Sequence, residues 1–401
     1  MNPPFADAIA ALANSIDVAL IEGLTCSLIE APSINPGGTE AAAVAVLAQA
    51  CRDVGLSVSL TEAAPDRPNL LASTATSTAT GPGVLFLGHT DVVPAGPGWT
   101  GDPFVARRDG DLIIGRGSSD MKGGLAAVVA ALAALSRAAE FGIDLSGPVH
   151  LLATVDEEEH GSGVRAVVAD PPPLEFAACI VAEPTCLEVV RGCRGASYLD
   201  VDITGRAAHS GRPSDGRSAI EAAAAVIGLI GEDQAAMAAD PHPLLGFGTW
   251  NVGVIDGGQG ISVVAPNCSL GVDRRLMPGE SIATIASDLA DAISAAGIDD
   301  DGITVRLTPT MEMPGFDTPA DAPLVRAAVD AVIAAGAPTS VGGWTAACDG
   351  GFISRDLGVP TVVLGPGDIN GQAHQPDESV PLAELVTAAR AYVYAAVALL
   401  T

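Results

Sequence analysis

The order of the apolar segments constrains this chain more than any other feature. Short apolar runs of strand length alternate with helical patterns over the first half of the sequence, stop doing so after Arg191, and resume near residue 313. Strands read at Leu56–Leu60, Asn69–Ala72, Val84–Leu87, Val149–Val155 and Cys179–Ala182, and helices at Ala6–Ile29, Glu40–Val54 and Gly123–Ala139, with another opening at Val164–Val168. Strands that alternate with helices build an α/β layer with a mixed, mainly parallel sheet flanked by helices. Between the two stretches the order is different: strand Ser197–Ile203, helix Ser218–Ile230, strands Thr249–Ile255 and Cys268–Leu276, helix Ser281–Ala296, strand Ile303–Thr308. That β-α-β-β-α-β order is the ferredoxin-like motif. The α/β pattern resumes with helix Ala322–Ala335, strand Thr361–Leu364 and helix Leu382–Leu400. The expected organisation is therefore a first domain in two parts, residues 1–192 and 313–401, with a second domain, 193–312, inserted into it.

Composition narrows the function. With 48 acidic against 19 basic residues the formal charge is −29, a field that repels phosphate backbones and anionic membranes, so neither nucleic acid nor a lipid surface is an expected partner. The seven cysteines form an odd set without a Cys-x-x-Cys pair, which argues against a disulfide framework or a structural zinc knot. No basic-then-apolar leader and no uninterrupted membrane-length apolar run is read, and a cytoplasmic location is the default expectation.

Five segments carry candidate chemistry, each at a strand end or in a loop of the α/β part, where open sheets bind ligands. The strand from Val84 ends in Gly88–His–Thr–Asp91. Residues two apart on an extended chain face the same side, so His89 can bind a metal while Asp91 fixes its tautomer, although a structural histidine reads the same way. Gly115–Arg–Gly–Ser–Ser–Asp–Met–Lys–Gly–Gly124 is neither a Walker A loop nor a dinucleotide fingerprint; Asp120 in its tight turn suits a bridge between two cations, or a helix cap. The strand His150–Val155 runs into Asp156–Glu–Glu–Glu–His–Gly161, a crowding of carboxylates that costs repulsion unless cations neutralise it. Glu183 follows another strand, and His374 sits in the polar loop Leu364–Glu378.

Together, GHTDVVP, GRGSSDMKGG, the acidic run, AEPT and AHQPDE, in that order, resemble the co-catalytic metallopeptidase family that includes acetylornithine deacetylase, succinyl-diaminopimelate desuccinylase, aminoacylase and carboxypeptidase G. The resemblance runs from about Leu24 to the C-terminus. It implies a dinuclear hydrolase of linear amide bonds with two divalent ions, usually zinc and sometimes cobalt or manganese. His89 and Glu183 would ligate one ion, His374 and a glutamate of the acidic run the other, and Asp120 would bridge them. The family shows Asp-Glu-Glu where this chain has Asp156–Glu159, so two registers fit: Glu157 as general base with Glu158 as ligand, which is preferred because it keeps Gly163 in step, or Glu158 with Glu159. Thr204–Pro213 resembles the family's lid motif, whose histidine, here His209, reaches the partner subunit's active site in a homodimer formed through the inserted domain. Asp273–Gly279 resembles the segment whose arginine, by position Arg275, holds the substrate carboxylate, while Ser262 stands where the family often has asparagine. The loop Leu364–Glu378 and Cys348–Asp349 look most like the acetylornithine deacetylase branch, implying a small N-acyl amino acid as substrate; a dipeptidase or carboxypeptidase would share the metal chemistry. A non-catalytic binder would have lost a ligand or the base, and candidates for all are present.

Overall fold

The computed structural model describes residues 3–74 and 81–401. The chain divides into two compact units: residues 1–192, 318–342 and 352–401 form one, and 193–317 with 343–351 the other.

The first unit is built on a mixed sheet. Its centre is four parallel strands in the spatial order Val149–Thr154, Gly83–His89, Phe176–Val181, Thr361–Val363. Arg67–Ser73 adds antiparallel to Val149–Thr154, and Ser57–Ala64 adds antiparallel beyond it. Gly83–His89 and Val149–Thr154 are buried along their whole length, as strands covered on both faces must be, and this explains their continuous apolar runs. The helix Gly123–Leu135, made of Gly, Ala, Val and Leu, is almost wholly buried. Its small residues allow close approach: a Cβ on Gly124 would lie 2.3 Å from the Ala182 carbonyl oxygen. Two helical stretches among the described residues, Ser118–Leu135 and Leu382–Leu400, are long and apolar enough to cross a membrane, but the first is 94% buried in this fold, which accounts for its composition.

The second unit is a four-stranded antiparallel sheet in the order Thr249–Gly257, Asn267–Leu276, Gly195–Thr204, Thr304–Met313. Helices Ala219–Ala238 and Ile282–Ala295 pack their apolar residues with Leu199, Val201, Ile203, Leu270 and Val272. This is the ferredoxin-like arrangement. Along Gly195–Thr204 burial alternates from Ser197 onward, with Leu199, Val201 and Ile203 inward and Asp200, Asp202 and Thr204 outward.

One long helix expected at Ala6–Ile29 is two, Pro3–Asn14 and Val18–Glu30. Asp17 causes the break: its Oδ1 accepts the Ala19 and Leu20 N–H groups at 2.9 and 3.2 Å, capping a new helix where apolar periodicity alone shows no boundary.

His150 gives the first unit a predictable acid sensitivity. Its Nδ1 lies 2.7 Å from Ser73 Oγ, its ring meets Phe176 edge-on at 5.5 Å, and its buried Nε2 has no hydrogen-bond partner among the described residues. Burial lowers its pKa to about 4, against roughly 6.5 in an unfolded chain. Between those values only the unfolded state takes up the proton, so stability falls as pH falls from about 6.5 to about 4, by roughly 3 kcal/mol in all. Thermal melts across that range should show His150→Gln losing this part of the slope; an unchanged slope would contradict the assignment.

Candidate active site

The four central strands all run the same way, so their C-terminal ends open on one edge, and the candidate residues collect there. His89 is the last residue of its strand; Glu157 and Glu158 follow Val149–Thr154, and Glu183 follows Phe176–Val181. His374 lies in the loop after Thr361–Val363, with φ +63°, a conformation few non-glycine residues adopt.

Asp120 lies between the two histidines. Its Oδ1 is 3.1 Å from His89 Nε2, and its Oδ2 is 3.3 Å from His374 Nε2. Glu183 Oε1 is 3.4 Å from His89 Nε2, and Glu158 Oε2 is 3.1 Å from His374 Nε2. Glu157 also belongs to the cluster, with one ligand atom each of His89, Glu157 and Glu183 mutually within 4.8 Å. Glu159 is in neither metal-competent group found among the described residues. His89, Asp120 and Glu183 are buried, while the His374 side chain is 49% exposed, leaving the cluster open on that side.

These donors suit a pair of cations. Nitrogen and oxygen ligands about 2.1 Å from a tetrahedral ion stand roughly 3.4 Å apart, and the four separations above match that spacing. Glu158 Oε1 is buried without any hydrogen-bond partner among the described residues, an arrangement that costs free energy unless a cation takes that oxygen. Charge points the same way. Burial would lower the His89 pKa, but Glu183, Asp120 and Asp91 hold it well above the ordinary value. Donation of its ring N–H to the Asp120 and Glu158 carboxylates raises His374 to about 10. Burial, aided by the Asp120 charge, raises Glu183 and Glu158. Carboxylates crowded this closely repel one another, and a cation among them removes that repulsion.

The supporting contacts differ in part from the expected ones. His89 Nδ1 is 3.0 Å from the backbone carbonyl of Asp91 and 3.5 Å from its Oδ1, so the carbonyl is the better acceptor. The Asp91 carboxylate instead accepts the N–H groups of Glu157 at 3.2 Å and Glu158 at 3.1 Å, and Asn35 Nδ2 at 2.9 Å. Asp91 therefore holds the acidic loop as well as the histidine.

Three residues that were not site candidates in the sequence support the cluster. Glu378, fully buried, accepts the backbone N–H groups of Gly117, Ser119 and Asp120 at 3.0, 2.8 and 2.9 Å, and Arg116 Nη1 at 2.7 Å. It binds the loop that presents Asp120 to the loop that presents His374. Asn35 and Arg67 brace the acidic run from outside. A signal for Glu378 existed in the AHQPDE string, but nothing in sequence names its partners.

His209 and Arg275 belong to the second unit. His209 is exposed, and its Nδ1 accepts the Gly211 N–H at 3.0 Å, which puts the ring proton of the neutral form on Nε2. Arg274 and Arg275 alternate as neighbours on a strand do. Arg274 is buried against Trp250 and paired with Glu280 at 3.0 Å, whereas Arg275 is partly exposed with its Nε 3.1 Å from Asp273 Oδ1.

An α/β sheet whose strand ends gather two histidines around a shared aspartate, with an inserted ferredoxin-like unit, defines a class of dinuclear amide hydrolases. The model of Peptidase family M20/M25/M40 matches residues 85–398, and the chain belongs to that family. It is a metal-dependent amidohydrolase. The chain is 32% identical over 337 residues to acetylornithine deacetylase of Aliivibrio fischeri (strain MJ11), covering 83% of this chain and 84% of that one. Among solved structures it resembles aminopeptidase PepT from Bacillus cereus (TM-score 0.76, 21% identity, covering 96% and 100% of the two chains). It also resembles the Bacillus subtilis YXEP protein, described as a dinuclear metal-binding peptidase (TM-score 0.71, 15% identity, 96% and 99%). At those identities the structural likenesses speak for the fold alone.

Proposed function

We propose that this hydrolase removes the acyl group from a small N-acyl amino acid, with a pair of divalent cations, zinc first among the candidates, held by His89, Asp120, Glu158, Glu183 and His374. The observation that carries the metal reading is Asp120 offering one carboxylate oxygen to each histidine. The substrate reading draws on the likeness to acetylornithine deacetylase along most of both chains. Bound there, the cations would supply Lewis-acid polarisation of the scissile carbonyl and acidify water.

The residues then divide the work. Glu157 takes the proton of the attacking water and returns it to the departing amine. His89, aimed by the Asp91 carbonyl, keeps its Nε2 free of the proton. Arg275 pairs with the substrate carboxylate, for which a planar guanidinium offers two parallel donors. His209, delivered across a dimer, donates its Nε2 proton to the carbonyl oxygen as that oxygen gains charge.

The dimer proposal has its own support. Thr249–Gly257 is an edge strand that leaves Val254 and Ile255 62% and 58% exposed, and the loop after it carries a fully exposed Ile261. An apolar edge with unpaired backbone groups is a template for pairing with a second copy. Sedimentation should give a dimer that Val254→Lys/Ile255→Lys converts to monomer; a wild-type monomer would reject it. We place the enzyme in the cytoplasm, a reading that its seven free thiols support.

Metal-reconstituted protein offered N-acetylornithine, N-succinyl-diaminopimelate and simple dipeptides side by side tests the substrate class. Deacylation of the N-acyl amino acid should be fastest. Turnover of dipeptides alone would make this a peptidase with the same metal chemistry.

A further inference from the structure

The acidic loop needs a particular backbone shape, and the residues that enforce it lie outside the cluster. Asp156, immediately before Glu157, has φ +65°, a region that costs a non-glycine residue on the order of 1–3 kcal/mol and persists only where the surroundings over-determine it. The surroundings here are several. Its Oδ1 accepts Arg67 Nη1 and Asn35 Nδ2, both at 2.9 Å, and its Oδ2 accepts the Ser162 N–H at 3.2 Å. Arg67 is itself fixed by a two-pronged pair with buried Glu40, Nε to Oε2 at 2.9 Å and Nη2 to Oε1 at 2.7 Å. Glu40 Oε1 in turn accepts the Asp156 N–H at 3.3 Å. The same Asn35 amide that holds Asp156 also holds Asp91, whose carboxylate receives the Glu157 and Glu158 N–H groups.

We infer that Arg67 is a positioning residue of the active site: through Asp156 it holds the left-handed turn that aims Glu157 and Glu158 into the cluster. The inference rests on the metal reading above. Arg67 sits on Arg67–Ser73, the strand beside Val149–Thr154, and Glu40 immediately precedes helix Ala41–Asp53. The turn is therefore tied to a strand and to the residue that opens a helix, and a guanidinium is suited to the task because one planar group reaches both carboxylates.

The test uses the full-length, metal-loaded enzyme and two variants. Arg67→Met keeps the length of the side chain and removes its charge and donors. Asp156→Gly deletes the tether while making φ +65° easy for the backbone, so it remains informative if Arg67→Met does not fold. Both should lower kcat by about 10–100-fold with KM within about threefold, and weaken the more labile zinc equivalent by a similar factor in chelator competition. Arg67→Lys, which keeps the charge but not the fork, should recover only part of the loss. A contact that served stability alone would lower the melting temperature and leave zinc affinity untouched. The inference is overturned if either folded variant keeps kcat and both zinc affinities within about threefold of wild type. A wild-type protein that takes up no cation sinks the metal reading itself, and this inference with it. A wild type that binds two zinc ions and depends on Glu157 leaves Arg67 to stand or fall alone.

Discussion

Glu157→Gln is expected to lower kcat by on the order of 10³–10⁴-fold while the protein still binds its two metal ions. A general base that both accepts and returns the proton contributes up to about that factor, and glutamine keeps the shape of the side chain without its basicity. The metal should stay because the closest contacts to the two histidines come from Asp120, Glu183 and Glu158. Steady-state kinetics with metal analysis on the same sample makes the comparison. Retained turnover would move the base elsewhere, with Glu158 the next candidate. Loss of one metal equivalent together with activity would make Glu157 a ligand.

Glu378→Ala should damage both the fold and the site. The side chain is the acceptor for three backbone N–H groups and for the buried Arg116 guanidinium, and burial raises its own pKa against the pull of those donors. Removing one partner of such a buried pair costs roughly 3–5 kcal/mol, because the other charge is left without compensation. Thermal denaturation should show a melting temperature lower by on the order of 10 °C. Residual folded protein should bind metal weakly, since the Asp120 and His374 loops lose their common anchor. Glu378→Gln, which keeps an oxygen acceptor but points an amide at one set of donors, should fall between. A Glu378→Ala enzyme with wild-type melting and kcat would show that the two loops are held by other contacts.

The parts of this molecule that could be read in advance are those where a local pattern has one physical outcome. Apolar runs ending in His89, Asp156 and Glu183 had to be buried strands with polar termini, and strands alternating with helices had to be largely parallel. Those two facts bring the termini to one edge. The ferredoxin-like insertion was legible for a similar reason, through the element order and the alternation along strands such as Gly195–Thr204 from Ser197 onward. Long-range pairing was not legible. Nothing near Arg67 in sequence says that its partners are Glu40 and Asp156, and nothing near Glu378 says that it binds the loop of Asp120. The choice of register in the acidic run was open for the same reason: four adjacent acids look alike in sequence, and only the fold puts Glu157 and Glu158 within reach of the histidines. Short elements such as Val189–Cys193 and Gly350–Leu357 were also unread, being too brief for periodicity to show.

Whether two cations share Asp120 is tested most directly by anomalous diffraction from crystals of zinc-loaded protein. Two peaks should appear, one flanked by His89 and Glu183, the other by His374 and Glu158, with Asp120 touching both. A single peak, or none, in crystals of enzyme that deacylates its substrate at full rate would contradict it.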